Sequence, residues 1–320
     1  MDSPVKHHFN PAFSLRPWAG TDEKLCQMRR IGGKISPLRV HPTATGFEPN
    51  LYRTDGVALE LEQSLEEKFM KPLDAGAALA LEKIMSNDRS PWRSEPRSAW
   101  TLYIMSLLFR NPATVKLIKN HVGDLWDAGV KALEENYAAQ RLPTDPPTFK
   151  EYFALTNPAA PAIAATNMLA EIMNNSRVAP TIFKMNWSRI DLANSNITLL
   201  NCDRPLQRPL GLGDPRAYIA FPIGPRTIFI AANDPNLAAK IGRGNHTKIA
   251  KVTNKTVVAQ AQEFVWGTDD SQLEFVRRYM GTAPERVVLT EQQRAEAIAA
   301  VQGQASTAKI EVHGSANESG

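Results

Sequence analysis

Few polar residues in this chain have types and spacings that could carry chemistry. His8 sits in an apolar, proline-containing string, and its imidazole could ligate a metal or move a proton near neutral pH. Glu62 and Glu66 are four residues apart, which on a helix puts both carboxylates on one face, where they could converge on a cation. Glu60 and Glu67 lie nearly in line beside them. Arg110 closes the most apolar stretch of the chain, where a guanidinium needs acceptors because an unpaired buried charge is costly. Asp203, in a turn after a short β-like run, is the carboxylate nominated to meet it. Gathered in one cleft, His8, Glu62, Glu66 and Asp203 could hold a divalent metal while Arg110 steadies a phosphoryl oxyanion. That would make a metal-dependent hydrolase of phosphodiesters, nuclease-like in its chemistry.

Each residue also has a plainer reading. His8 can pin the N-terminal segment by a hydrogen bond, and His7 is expected to be solvated. A Glu-rich start suits the positive end of a helix dipole. Asp203 can bond its own turn. On this reading the same residues form a buried polar network and the protein acts by binding.

A second cluster is basic. Arg243, Lys248 and Lys251 lie in the stretch from Lys240 to Lys255, where Lys248, Lys251 and Lys255 share a helix face. Gly242 and Gly244 could expose backbone N–H groups beside them, an anion-binding arrangement that would suit nucleic acid through residues 240–255. A solvated basic face is the plainer alternative. His121 and Asp124, one helical turn apart, form a weak metal pair. The sequence has no Gly-x-Ser-x-Gly elbow, His-Glu-x-x-His, kinase motif set or Cys-x-x-Cys, so serine hydrolase, zincin, kinase and thiol-redox readings lose most of their weight.

The elements that must position these residues can be read from periodicity and breakers. Residues 8 to 40 read as extended, with Gly32-Gly33 as a hairpin turn and Pro37, Pro42 and Pro49 arguing against helix. From Val57 a helical stripe runs through Leu61, Leu65, Phe69, Leu73, Ala77, Leu81 and Ile84, with Pro72 expected to bend or interrupt it. A helix apolar on nearly every side starts at Ser94-Glu95-Pro96 and ends at Asn111-Pro112, as a central core helix would. Further helices are expected from Ala113 to Tyr137 and from Pro161 to Asn175. Residues 179–187, 197–200, 217–223 and 227–231 read as short strands, the last two forming a hairpin over Gly224-Pro225. Residues 246–266 return to a helical period, and a short helix is expected from Ser271 to Tyr279. The fold class expected is α+β, mostly helical, with a small antiparallel sheet and an extended N-terminal hairpin region. Residues 1–302 read as a single domain and 303–320 as a disordered, Gly/Ser/Ala-rich tail.

Composition narrows the setting. Of 320 residues 43% are hydrophobic and 22% charged, ordinary for a globular chain with a substantial core. The net charge of +4 permits an anionic partner without requiring one. Two distant cysteines, Cys26 and Cys202, suggest reduced thiols. The apolar run from Ala99 to Phe109 is about half the roughly 20 residues that span a bilayer. With no signal-peptide pattern, a cytoplasmic location and no membrane contact are expected.

The string from His8 to Trp18, His-Phe-Asn-Pro-Ala-Phe-Ser-Leu-Arg-Pro-Trp, resembles the opening signature of a bacterial family catalogued as domain of unknown function 4238. Further landmarks follow in the family's order. They are Asn50-Leu51-Tyr52, a Glu-rich helix start at Glu60, Glu62, Glu66 and Glu67, Arg110-Asn111-Pro112, and Leu200 to Pro205. Phe221 to Pro225 and Asn254 also fit. The resemblance covers roughly residues 8 to 280. This chain departs from it where the family's Gln, a turn before the arginine, is apolar, and where Thr-Ser before the aspartate is Asn201-Cys202. The family carries no established activity, so the resemblance marks residues without assigning their roles.

Overall fold

The computed structural model describes residues 5–88, 90–284 and 287–307. Strand β1 (Lys6–His8) leads to a short helix α1 (Ala12–Leu15), hairpin strands β2 (Leu25–Ile31) and β3 (Lys34–Val40), and β4 (Phe47–Pro49). A π-helical turn at Glu66–Met70 runs into α2 (Lys71–Met85), followed by α3 (Ser94–Phe109), α4 (Pro112–Gln140), α5 (Phe149–Thr156), α6 (Ala160–Met173) and α7 (Ala179–Lys184). The chain continues through β5 (Asn186–Asp191), β6 (Asn201–Cys202), β7 (Tyr218–Gly224) and β8 (Thr227–Ala232). It closes with α8 (Leu237–Gly242), α9 (His246–Gln260), β9 (Phe264–Gly267), α10 (Leu273–Tyr279) and α11 (Glu291–Thr307).

The fold is α+β. Its strands form three small antiparallel sheets, ordered β1-β4, β3-β2-β9-β6 and β5-β8-β7, in place of one. The β2–β3 connection is two residues long, Gly32 and Gly33, both with positive φ, which only glycine adopts freely.

The chain divides into two compact units. The first comprises Met1–Tyr52, Leu65–Pro112 and Ala170–Glu285; the second comprises Arg53–Ser64, Ala113–Leu169 and Arg286–Gly320. The second has its own small aromatic core: Val130, Tyr137 and Phe149 are buried, with Trp126, Tyr152 and Phe153 packed on them. That independent core is the physical basis for the division.

In the first unit the three-stranded sheet is apolar on both faces. Phe229 and Ala231 face α2 and α3, where Trp100 stacks on Phe221 at 5.8 Å. The alternate residues Ile228, Ile230 and Ala232 join Ile190, Leu192 and Ala250 in a second cluster on the other face. Helices α2 and α3 approach closely at Gly76, where an added Cβ would lie 2.7 Å from the Ala99 Cβ. The four-stranded sheet packs Met28, Cys202 and Val265 against Val257 and Val258 of α9 and Val276 of α10.

Several local expectations are corrected. Residues 12–18 are helical, because α1 and a 3-10 turn carry Leu15 and Trp18 into the core, where both are fully buried. Pro72, expected to bend or interrupt its helix, follows the π-helical turn at Glu66–Met70 directly, so the regular α-helical run is interrupted just before it. Residues 179–184 form α7, and only from Asn186 is the chain a strand. The expected strand at 197–200 lies at Asn201–Cys202. The helical period of 246–266 ends at Gln260, after which Phe264–Gly267 is a strand between β2 and β6. Within the expected tail, residues 303–307 end α11, and 308–320 lie outside the described residues. Among the described residues no helix is long and apolar enough to cross a membrane.

Candidate functional site

The predicted site residues separate into a buried network, a structural cap, a surface pair and a cleft. The network is centred on Arg110, which is 1% exposed at the C-terminus of α3. Its guanidinium makes a two-pronged pair with Asp74 of α2, both bonds at 2.9 Å. It also donates to the His8 carbonyl at 2.8 Å and to Ser106 Oγ at 3.3 Å. The expected partner Asp203 is therefore replaced by Asp74, the lone acid between Glu67 and Glu82. Burial alone would weaken the Arg110 cation, but the adjoining Asp74 carboxylate outweighs it and holds the proton above the ordinary arginine range.

His8 and Glu66 adjoin this pair. His8 is half-buried with its ring edge toward Phe47, and burial lowers its pKa, opposed by Asp74 and helped by Arg110 and Lys6. Glu66 is 5% exposed in the π-helical turn. Its pKa is pushed up to about 7, first by burial and further by Asp74, against the pull of Arg110. Its Oε2 has no hydrogen-bond partner among the described residues, which leaves the charged form poorly supported.

Tyr52 closes the network, donating from its hydroxyl to the Arg110 carbonyl at 3.0 Å. His7, expected in solvent, is fully buried: its Nδ1 accepts the Tyr52 N–H at 2.8 Å and its ring stacks on Tyr52. The resemblance landmarks are tied together here. Asn10 donates to the Cys202 carbonyl at 3.2 Å and accepts from Ser14 at 2.6 Å, while Arg204 donates to Asn111 at 3.3 Å.

Asp203 is a cap for another segment. Its carboxylate accepts three backbone N–H groups, from Gln262, Glu263 and Phe264, at 2.7 to 3.0 Å, and so fixes the chain's entry into β9. Burial raises its pKa against those three donors. Cys202 and Cys26 are buried, unbridged thiols.

Glu62 and Glu66 do not act as a helical pair. Glu62 follows a 3-10 turn at Leu59–Leu61, so the α-helical i,i+4 geometry does not apply. It belongs to the second unit, where it pairs with Arg53 at 2.7 Å. Glu67 pairs with Lys71 on the surface. In the second unit, Asp124 is taken by Arg294 at 2.7 Å, so His121 gains no metal partner in it. Among the described residues no group of three His, Cys, Asp or Glu side chains is placed to hold a metal ion.

The basic segment is arranged differently from the expected anion nest. Gly242 ends α8, and the Arg243 and Gly244 N–H groups close that helix onto the Ala239 and Ile241 carbonyls. Asn245 caps α9 by accepting the Lys248 N–H at 2.9 Å. Arg243, Lys248 and Lys251 are exposed and form no ion pair with any described residue, whereas Lys240 pairs with Asp234 and Lys255 lies over the Tyr279 ring.

Lys248 lines a cleft of about 540 Å³ between the outer face of the three-stranded sheet and α9. Its floor is Ile190, Ala220, Ile228 and Ile230, and Ile241 and Ile249 form a wall. Val252, 60% exposed, carries the apolar surface out of the cleft. Sequence reasoning singled out Lys248 but missed the cleft. Its available signal was the apolar run in β8, where residues of both parities are hydrophobic and the sheet must be covered on two sides.

The chain belongs to the family described as "Protein of unknown function (DUF4238)", whose model matches residues 6–271. No curated protein and no solved structure matches the chain.

Proposed function

We propose that this protein acts by binding, and that its ligand enters the aliphatic cleft over the β5-β8-β7 sheet. The observation that carries this reading is the cleft itself: an aliphatic floor and wall around about 540 Å³, within the range of small-molecule sites. The signature network supports the same reading from the other side. Arg110 is engaged by Asp74, Ser106 and a carbonyl, and Asp203 by three amides, so neither is presented to a phosphodiester. The nuclease-like alternative needed His8, the glutamates and Asp203 to share one point, and Asp203 and Glu62 are committed elsewhere.

The test is titration with 1-anilinonaphthalene-8-sulfonate. Saturable fluorescence enhancement with one site per chain is expected, and Ala220→Phe, which fills the floor, should abolish it while the thermal transition persists. Absence of saturable binding, or equal binding by the variant, would overturn the proposal. Oligonucleotide binding that weakens steeply with salt and is lost on removing Arg243 and Lys251 would instead assign the basic segment to nucleic acid.

A further inference from the structure

We infer that the ligand of this cleft is an unbranched alkyl carboxylate, an inference that rests on the cleft being the binding site. The argument is the chemistry of the lining. Lys248 is the one charged side chain among the lining residues, and no carboxylate stands among them. Its ammonium forms no ion pair with any described residue, so a negative head group meets an unneutralised cation. The Gln207 amide nitrogen, also in the lining, is buried without a hydrogen-bond partner among the described residues. A buried amide donor left unpaired is costly, and a rotation of the side chain toward an acceptor on the ligand would relieve it. The Tyr218 hydroxyl adds a third polar group able to donate.

The tail follows from the rest of the surface. Floor and wall are largely isoleucines around the small residue Ala220, where a larger side chain would occupy part of the cleft. Apart from Tyr218 the lining has no aromatic ring to stack on a planar ligand, so flexible methylene groups fit these walls better than a ring system. A cationic head group would meet Lys248 with no acid to receive it, and a neutral one would leave its charge unanswered.

The experiment displaces the fluorescent probe with octanoate, 1-octanol and octylammonium, all below their aggregation limits and at fixed ionic strength. Octanoate should bind about tenfold more tightly than octanol, the size of one charge-assisted contact at a partly exposed site. Octylammonium should bind weakest. Hexanoate, octanoate and decanoate should gain about fourfold for each added methylene. Lys248→Met keeps the apolar stem and should bring octanoate down to the level of octanol, leaving octanol unchanged. Gln207→Leu should weaken octanoate several-fold. If octanol equals octanoate and Lys248→Met changes neither, the carboxylate inference fails while the cleft stands as a binding site. If no octyl compound displaces the probe and Ala220→Phe still binds it, the cleft reading itself fails.

Discussion

The network around Arg110 and the cleft beside Lys248 are built from opposite materials. The first is polar and buried, with Arg110 paired to Asp74 while Glu66 Oε2, His8 Nε2 and Arg110 Nε have no hydrogen-bond partner among the described residues; the second is apolar, open and carries a cation with no ion-pair partner among the described residues. Both contain residues that chemistry would single out in the sequence, yet they answer to different constraints. A buried arginine must find its acceptors within the fold, because desolvating it unpaired costs more than the fold can bear. An exposed lysine over an aliphatic floor is under no such obligation, so its free charge remains available to a ligand. Polar residues that look catalytic by type can therefore serve as internal fasteners, while the floor and wall of the cleft open to a ligand are largely aliphatic.

The sharpest way to break this comparison is Arg110→Met. Leaving the half-buried Asp74 without its partner should cost up to about 3–5 kcal/mol in chemical denaturation. Adding Asp74→Asn should recover part of the loss. A neutral single variant would show that the network does not hold the fold.

Next in size is the pH dependence set by Glu66. The folded side chain keeps its proton up to about pH 7, whereas the ordinary value is 4.5. Between those values the folded state holds the extra proton. The stability this confers is fully present below 4.5 and is lost as pH rises through about 7. Removing the ionisation with Glu66→Gln should stabilise the protein at pH 8 by up to about 3 kcal/mol and change little at pH 4. Groups facing Glu66 that bear on the profile are Arg110, Asp74, Lys71, Glu67 and Tyr52. Equal shifts at both pH values would mean that the side chain is ionised throughout.

Smaller in stability but decisive for binding is Ala220→Phe, expected to lower the unfolding free energy by about 1–2 kcal/mol while removing probe binding. The smallest effects belong to Arg243→Ala and Lys251→Ala, each within about 0.5 kcal/mol of the parent and without effect on octanoate. A loss of octanoate binding in either would extend the anionic subsite beyond Lys248.

Much of this organisation was legible in the sequence because its signals are local. The core helix ending at Arg110, the hairpin over Gly224-Pro225 and the long helix after Pro112 all follow from periodicity and breakers. His8, Glu66 and Arg110, singled out by type, lie close together: Arg110 donates to the His8 carbonyl and acts electrostatically on Glu66. The centre of their cluster was not legible, because Asp74 stands in a mainly apolar stretch of α2 and meets Arg110 only when α2 packs on α3. The roles of His7 and His8 could not be told apart from type alone: alternation along β1 buries one ring and leaves its neighbour half-exposed. Glu62 and Glu66 looked like a pair only on the assumption of continuous α-helix, which the 3-10 turn that ends at Leu61 and the π turn that begins at Glu66 defeat. The cleft depends on how α9 packs over the outer face of the sheet, which the periodicity of either element taken alone does not report.

The strand Phe264–Gly267 has a consequence for the order of events during synthesis. It supplies the partner for β2, whose residues leave the ribosome more than 230 positions earlier, with Cys26 paired to Gly267. Until that late segment emerges, the β2–β3 hairpin has one unpaired edge, bearing Leu25, Cys26 and Met28, all buried in the finished protein. Closure of the four-stranded sheet is thus a long-range, slow step. The nascent chain should need protection during this interval, and a ribosome stalled before residue 264 should display an aggregation-prone intermediate that one stalled well beyond residue 280 does not.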